Sequence, residues 1–218
     1  MSLGVYDLVV ELKKNNIDVR DSEGRILAFL KPINVSDLIR IEELAAQMTI
    51  WRNKAMPFFK TGFVATNVRT VNWLKNAIIY AENKVLFLIY VENKLIGHFG
   101  LCNITGESAE LDNAIRGEKG GQSDLFDYVE NTIIKTAFDK LKVKNIYGRL
   151  FSNNFMAMSL HRRIGFVENS RSPLNLVKNK TEWEYIECPQ EKANVRFQYV
   201  ELILFFDNFK PFNQGLIL

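Results

Sequence analysis

Apolar residues recur at helical spacing in several stretches of this chain, and strand-length apolar or alternating runs lie between them. Val5, Leu8, Val9 and Leu12 predict a helix over residues 5–14, stopped by Asn15 and Asn16. A turn at residues 21–24 leads into a strand at 25–33, ended near Pro32. Ser36 is placed to cap the next helix, whose apolar face (Leu38, Ile41, Leu44, Ala45, Met48) runs through to Asn53. A further helix is expected at about 69–82, then strands at 84–92 and 94–104 joined as a hairpin at Glu92-Asn93, and a third strand at 108–115. After a glycine-rich stretch, Ser123 caps a long helix in which Leu125, Val129, Ile133, Ala137 and Leu141 recur every four residues. A strand at 143–152 follows, then a short helix capped by Asn153 or Asn154, with Met156, Leu160 and Ile164 as its buried stripe and Gly165 at its end. Strands at 166–169, 181–187 and 194–207 complete the pattern. The loop at 56–67 carries Phe58, Phe59 and Phe63 beside Pro57 and Gly62, more apolar surface than a plain connector needs, which suits a pocket wall.

Composition narrows the class. With 218 residues, 47% of them hydrophobic and 24% charged, the chain can bury one full core, read as a domain over 25–218 with an N-terminal helical extension at 1–24. The net charge of +3 comes from interleaved acids and bases and makes no one-sign stripe, so a nucleic-acid partner is not expected. Apolar runs at 85–91 and 202–206 are strand-length and too short to span a bilayer. Cys102 and Cys188 cannot build a disulfide framework, and no charged-then-apolar leader opens the chain, as expected of a cytoplasmic protein; no metal site is expected.

Four segments carry a family resemblance. The run from Asn154 to Phe166 is similar to the pattern Asn-x-x-Ala-x-x-Leu-Tyr-x-x-x-Gly-Phe in the late helix of the GNAT superfamily of acyl-CoA N-acyltransferases, with His161 where that family most often has Tyr. Leu30-Lys31-Pro32-Ile33 followed by Asp37-Leu38 resembles the family's opening strand and helix start, and Leu95 to Gly100 its apolar-Gly strand. Trp51-Arg52-Asn53 resembles a signature of the branch containing ribosomal-protein N-terminal and nucleotide-sugar amine acetyltransferases. The order of elements matches too, over residues 26–206. The resemblance implies an α/β (α+β) fold with a mixed, mostly antiparallel central sheet and flanking helices. It also implies acetyl-CoA as co-substrate and direct transfer of the acetyl group to a primary amine of a small molecule, a nucleotide-linked amino sugar among the candidates.

Each step of that chemistry has candidate residues. A pyrophosphate needs free amides at a helix start and glycines that let the backbone approach, which Arg116, Gly117, Lys119, Gly120, Gly121, Gln122 and Ser123 offer. Counting the family loop from Arg116 places Lys119 at its first glycine and Gly121 at its second, and Asp124 and Asp127 in the first helical turn would repel a phosphate they faced. A solvated turn is the other reading, and with it a non-catalytic, GNAT-shaped binding module. The resemblance assigns Asn113, Ala114 and Ile115 to the backbone contacts with the cofactor arm, and Asn154, besides capping its helix, to pantetheine. Glu110 is the candidate base, with Asp112 on the same strand face; both could instead face solvent. His161 is the candidate acid for the departing thiolate, against a packing role beside its helix stripe. His98 is either core-edge or a base, and Cys102, about 13 Å along the strand from it, forms no dyad with it. Trp51, Arg52, Phe59 and Trp73 would give an aromatic acceptor wall with one cation. Residues 1–24 weakly resemble the docking domains of assembly-line synthases, which would imply a carrier-protein partner; the other reading is an extra helix packed on the enzyme. The added C-terminal strands could pair two subunits as a homodimer or cover the acceptor site.

Overall fold

The computed structural model describes residues 4–211. Helix α1 (Val5–Leu12) and strands β1 (Ile17–Arg20) and β2 (Ile26–Pro32) come first. A 3-10 turn then leads into α2 (Ile41–Lys54), β3 (Thr61–Phe63) and α3 (Asn67–Trp73), which runs on as a π-turn. Strands β4 (Val85–Val91), β5 (Lys94–Cys102) and β6 (Ser108–Arg116) precede α4 (Leu125–Thr136), which also ends in a π-turn. The chain continues through β7 (Asn145–Phe151), α5 (Phe155–Ile164), β8 (Val167–Lys178), β9 (Glu182–Glu187) and β10 (Gln198–Phe205). The ten strands order as β1-β2-β4-β5-β6-β7-β10-β8-β9-β3. Among the described residues every pairing is antiparallel except β6 with β7.

Helices cover both faces of the central strands, which explains the unbroken apolar run of β4. Phe87 and Ile89 join the core beneath α1, α4 and α5, whereas Leu86 and Leu88 join the core beneath α2 and α3. The hairpin at Glu92-Asn93 turns with both residues at positive φ, 48° and 65°, the geometry of a tight two-residue connection. Gly165 ends α5 in the left-handed region at φ 117°, where a side chain would strike the Asn208 carbonyl.

Several expectations are corrected. Met156 is 86% exposed, and α5 turns Met158 and Ile164 inward with Ala157 and Leu160 half-buried. Steps of four residues advance about 40° round a helix, so a 156-160-164 row slides off the face that touches the sheet. The N-terminal segment also holds more than a helix: β1 pairs with β2, and Val9, Leu12 and Val19 lie in the main core. Lys13 ties it down further, donating from Nζ to the carbonyls of Ile78, Ile79 and Ala81 at 3.0, 3.2 and 2.8 Å. Strand β8 runs to Lys178 rather than ending at 169, because β10 and then β9 pair along it. Among the described residues, no helix is long and apolar enough to cross a membrane.

Candidate active site

The parallel pair β6–β7 is where the sheet opens. Strands β6 and β7 are in register only from Ser108 opposite Asn145 to Glu110 opposite Tyr147, and beyond that they separate into a wedge. On its other side β6 stays bonded to β5 but carries a bulge, with His98 opposite Ile115 and Gly100 opposite Asp112. The bulge puts Asn113 at φ 52°, and its carbonyl accepts a bond from His98 Nδ1 at 2.8 Å. The Asn113 side-chain amide donates to Asp112 Oδ2 at 2.7 Å. A carbonyl can only accept, so His98 holds its proton on Nδ1 and keeps a lone pair on Nε2. Burial pushes the His98 pKa down to about 4, with the Asn113 bond opposing, so the ring is neutral near pH 7. Burial likewise raises the pKa of the Asp112 carboxyl above its ordinary value, against the pull of the Asn113 bond and of the Lys84 charge.

At the far end of β6 the glycine-rich loop is folded around one arginine. Arg116 donates to the carbonyls of Gly120, Gln122 and Ser123 at 2.7, 3.1 and 3.2 Å, so it shapes the loop rather than standing as a free cation. Lys94 Nζ holds the Lys119 carbonyl at 3.0 Å. With carbonyls turned to these cations and Gly121 at φ 65°, the main-chain amides of residues 119–124 have no acceptor among the described residues. Those amides suit a pyrophosphate. Gly117 is not one of them: its amide and that of Glu118 both donate to the Ile96 carbonyl at 2.9 Å. Its α-carbon lies flat on Trp51, where a Cβ would fall 2.0 Å from the ring. Helix α4 starts at Leu125, with Asp124 and not Ser123 at the N-cap position and no capping side-chain bond. Asp127 is paired with Arg163 of α5 at 2.6 Å, which offsets the repulsion expected of it.

A cavity of about 400 Å³ lies between β5–β6 and the layer of α2, β3 and α3. From the sheet it is lined by His98, Asp112, Asn113 and Ile115, and from the opposite side by Arg52, Phe59, Phe63, Arg69 and Trp73, with Thr61. Arg52, Phe59 and Trp73 thus meet in one wall, as expected, but Trp51 does not. It is buried, donating from Nε1 to Glu118 Oε1 at 3.1 Å, because a residue next to Arg52 on a helix points about 100° away from it. Asn53 grips the pocket loop by bonding both the amide and the carbonyl of Ala65, at 2.8 and 3.0 Å. Strand β3 is held from outside by β9, with Gly62 packed against the Trp183 ring so closely that a Cβ would fall 1.8 Å from it.

Two catalytic candidates sit outside this cavity. Glu110 accepts from Arg149 at 2.5 Å and from Asn103 at 2.9 Å and does not line the cavity, so the geometry moves the candidate base two residues on, to Asp112. Both acids share a strand face, but Glu110 lies where β7 is still paired and Arg149 can reach it, whereas Asp112 lies past the split. His161 bonds through Nδ1 to Oε1 of the fully buried Glu130 at 2.5 Å. A Cβ on Gly148, one residue beyond the last β7 position in register with β6, would fall 3.8 Å from His161 Nε2, so the ring stands beside the point where the two strands part. Asn154 accepts from the Ala157 amide at 3.3 Å as the α5 cap. Ala114 is exposed beyond the bulge and Ile115 is buried against α2. Cys102 is buried and pushed up to about 12, an inert thiol. Phe63 lies in the apolar loop expected to form a pocket wall, whereas Arg69 was not expected, because it belongs to no motif.

A sheet that splits at its parallel pair, with unpaired amides at the adjoining helix start, is the arrangement that the GNAT resemblance implies. Residues 30–184 match the acetyltransferase (GNAT) domain, and the chain belongs to that family. No curated protein matches it. Among solved structures, a probable GNAT-family acetyltransferase from Chromobacterium violaceum is 13% identical, with a TM-score of 0.61 over 86% of this chain and 85% of its own. The spermidine N-acetyltransferase of Vibrio cholerae, bound to CoA and spermine, is 18% identical, with a TM-score of 0.57 over 84% and 97% of the two chains. FdhC, a nucleotide-linked sugar GNAT, is 12% identical, with a TM-score of 0.58 over 89% and 93%. As a member of this family the protein uses acetyl-CoA as its acyl donor, and the free amides of residues 119–124 fit the anionic part of that molecule.

Proposed function

We propose that this protein transfers an acetyl group from acetyl-CoA to a primary amine of a small molecule, by direct attack of the amine on the thioester. The observation that carries this reading is that β6 serves both sides of the reaction. Its end leads into the unpaired amides of the loop, and its bulge carries Asp112 and Asn113 into the cavity. Acetyl-CoA supplies an activated acyl carbon and a thiolate leaving group.

An amine reaches the cavity from water as an ammonium ion and must lose a proton before it can attack; Asp112, whose pKa burial raises, accepts it. Asn113 holds that carboxylate and, by its positive φ, turns its own carbonyl to His98 instead of the cavity. As the nitrogen–carbon bond forms, the nitrogen gives its second proton to solvent; as the carbon–sulfur bond breaks, His161 delivers a proton from Nε2 to the sulfur and regains one from solvent while Glu130 holds Nδ1, and Asp112 returns its proton to solvent after release of the amide. Asn154 and the backbone from Asn113 to Ile115 border the wedge and contact the pantetheine arm in this reading. For the acceptor, the Trp51-Arg52-Asn53 resemblance and the aromatic wall of Phe59 and Trp73 favour a nucleotide-linked amino sugar.

The test is calorimetric titration with acetyl-CoA followed by thiol-release assays over primary amines. Saturable binding, with turnover lowered about a hundredfold or more in His161→Ala, is the expected result. No binding at saturating acetyl-CoA would leave a GNAT-shaped module without donor chemistry. Full turnover in His161→Ala would remove the proposed acid.

A further inference from the structure

Arg52 enters the acceptor cavity without a counter-charge. Its Nη2 donates to the Thr61 carbonyl at 2.8 Å, and its guanidinium lies 3.7 Å from the Phe59 ring centre with Phe63 at 5.0 Å. Nη1 is buried and has no hydrogen-bond partner. No carboxylate among the described residues pairs with Arg52, whereas the cation beside it, Arg69, has Glu182 at 3.0 Å. The acid of the cavity, Asp112, stands on the sheet side and is bonded to Asn113. The half-buried guanidinium stays charged, and burial lowers its pKa only because the charge is disfavoured there. One wall therefore presents an unanswered cation, and the other an acid placed to receive an ammonium group.

We propose that Arg52 is an anion subsite and that the acceptor is an amine carrying a carboxylate or phosphate, held with its nitrogen toward Asp112 and its anion toward Arg52. This rests on the acetyl-transfer reading of the same cavity and assigns to Arg52 the recognition of the acceptor's anion, which the phosphates of a nucleotide-linked amino sugar would supply. The guanidinium fork matches either anion through paired N–H donors. The rings of Phe59 and Phe63 cover part of the guanidinium, so its charge is less screened than that of an arginine on open surface. A polyamine would bring a second cation against Arg52, so the pocket disfavours such acceptors even though a spermidine acetyltransferase shares the fold.

The experiment uses the full chain saturated with coenzyme A, so that the loop amides are occupied and cannot act as a second anion site. Thermal midpoints are read while inorganic phosphate or acetate is titrated. At least one anion is expected to raise the wild-type midpoint and to leave Arg52→Gln unmoved, with Arg52→Lys intermediate; which anion acts distinguishes phosphate from carboxylate. Turnover is then compared for 6-aminohexyl phosphate, 6-aminohexanoate, 6-aminohexanol and 1,6-diaminohexane. An anionic amine is expected to exceed the alcohol about tenfold or more in kcat/KM, the diamine to fall below it, and Arg52→Gln to erase the preference. Equal midpoint shifts in wild type and Arg52→Gln, no shift in either, or a Lys variant as unresponsive as Gln would each overturn the subsite. Failure of coenzyme A itself to shift the midpoint counts against the transferase reading. The open loop amides then contribute equally to both proteins, so a phosphate shift smaller in Arg52→Gln than in wild type supports the subsite and the absence of any difference overturns it.

Discussion

Three consecutive residues of α2 divide the work of the site. Trp51 turns into the core and bonds Glu118, Arg52 enters the cavity, and Asn53 clamps Ala65 of the pocket loop. Sequence reading grouped Trp51 with the acceptor wall by composition, and only the packing of α2 separates its rotational positions. The two acids of β6 teach the same lesson: strand periodicity put Glu110 and Asp112 on one face, and Arg149 decides between them. Asp112→Asn is expected to lower kcat about a hundredfold or more while calorimetric binding of acetyl-CoA stays intact. The wild-type rate should fall on acidification through a pKa above the ordinary aspartate value, since the base must be ionised and burial raises that pKa. A pH–rate profile checks this, and a profile unchanged in Asp112→Asn would exclude the residue as base.

Two glycines fasten whole elements to the site, and each can be tested by its own ligand. Gly117 lets the end of β6 lie on the Trp51 ring, joining the loop of free amides to α2. Gly62 lets β3 lie beneath Trp183, joining the cavity wall to the hairpin of β8 and β9. Alanine at either position forces ring or backbone to move, because a Cβ at those distances cannot be accommodated. Gly117→Ala is expected to weaken coenzyme A binding several-fold, and Gly62→Ala to raise the acceptor KM with coenzyme A affinity unchanged. Titration calorimetry and steady-state kinetics would show the split; equal effects of both changes on both ligands would contradict it. The C-terminal strands, legible as strands, thus hold in place the cavity wall that β3 carries. That role rests on β9 meeting β3, more than a hundred residues earlier in the chain, a pairing no local pattern encodes.

At the scale of the molecule, His98 couples the site to acid stability. Its pKa is lowered from 6.5 to about 4 in the folded chain, so between these values the unfolded chain binds the extra proton. Its contribution is full above pH 6.5 and is lost as pH falls toward 4, with a size on the order of 3 kcal/mol. Asp112 acts with the opposite sign: its raised pKa favours the folded state at low pH, and that advantage is lost as pH rises through the window above 3.8. Comparing wild type with His98→Gln leaves the Asp112 contribution common to both. The thermal midpoint of the wild type is expected to drop more steeply from pH 6.5 to 4 than that of the variant, and parallel curves would show that His98 does not titrate as its burial demands.

The sequence by itself determined what is decided within a turn or a strand pair. The hairpin at Glu92-Asn93, the Asn154 cap, the Gly165 stop and the two-sided apolar run of β4 all follow from interactions among near neighbours. Tertiary structure alone decided that residues 17–20 join the sheet, that β10 enters between β7 and β8, that Arg116 turns inward to free the loop amides, and that Asp112 faces the cavity. Those outcomes depend on which distant groups compete for the same space and the same hydrogen bonds, and that competition exists only once the chain has folded back on itself.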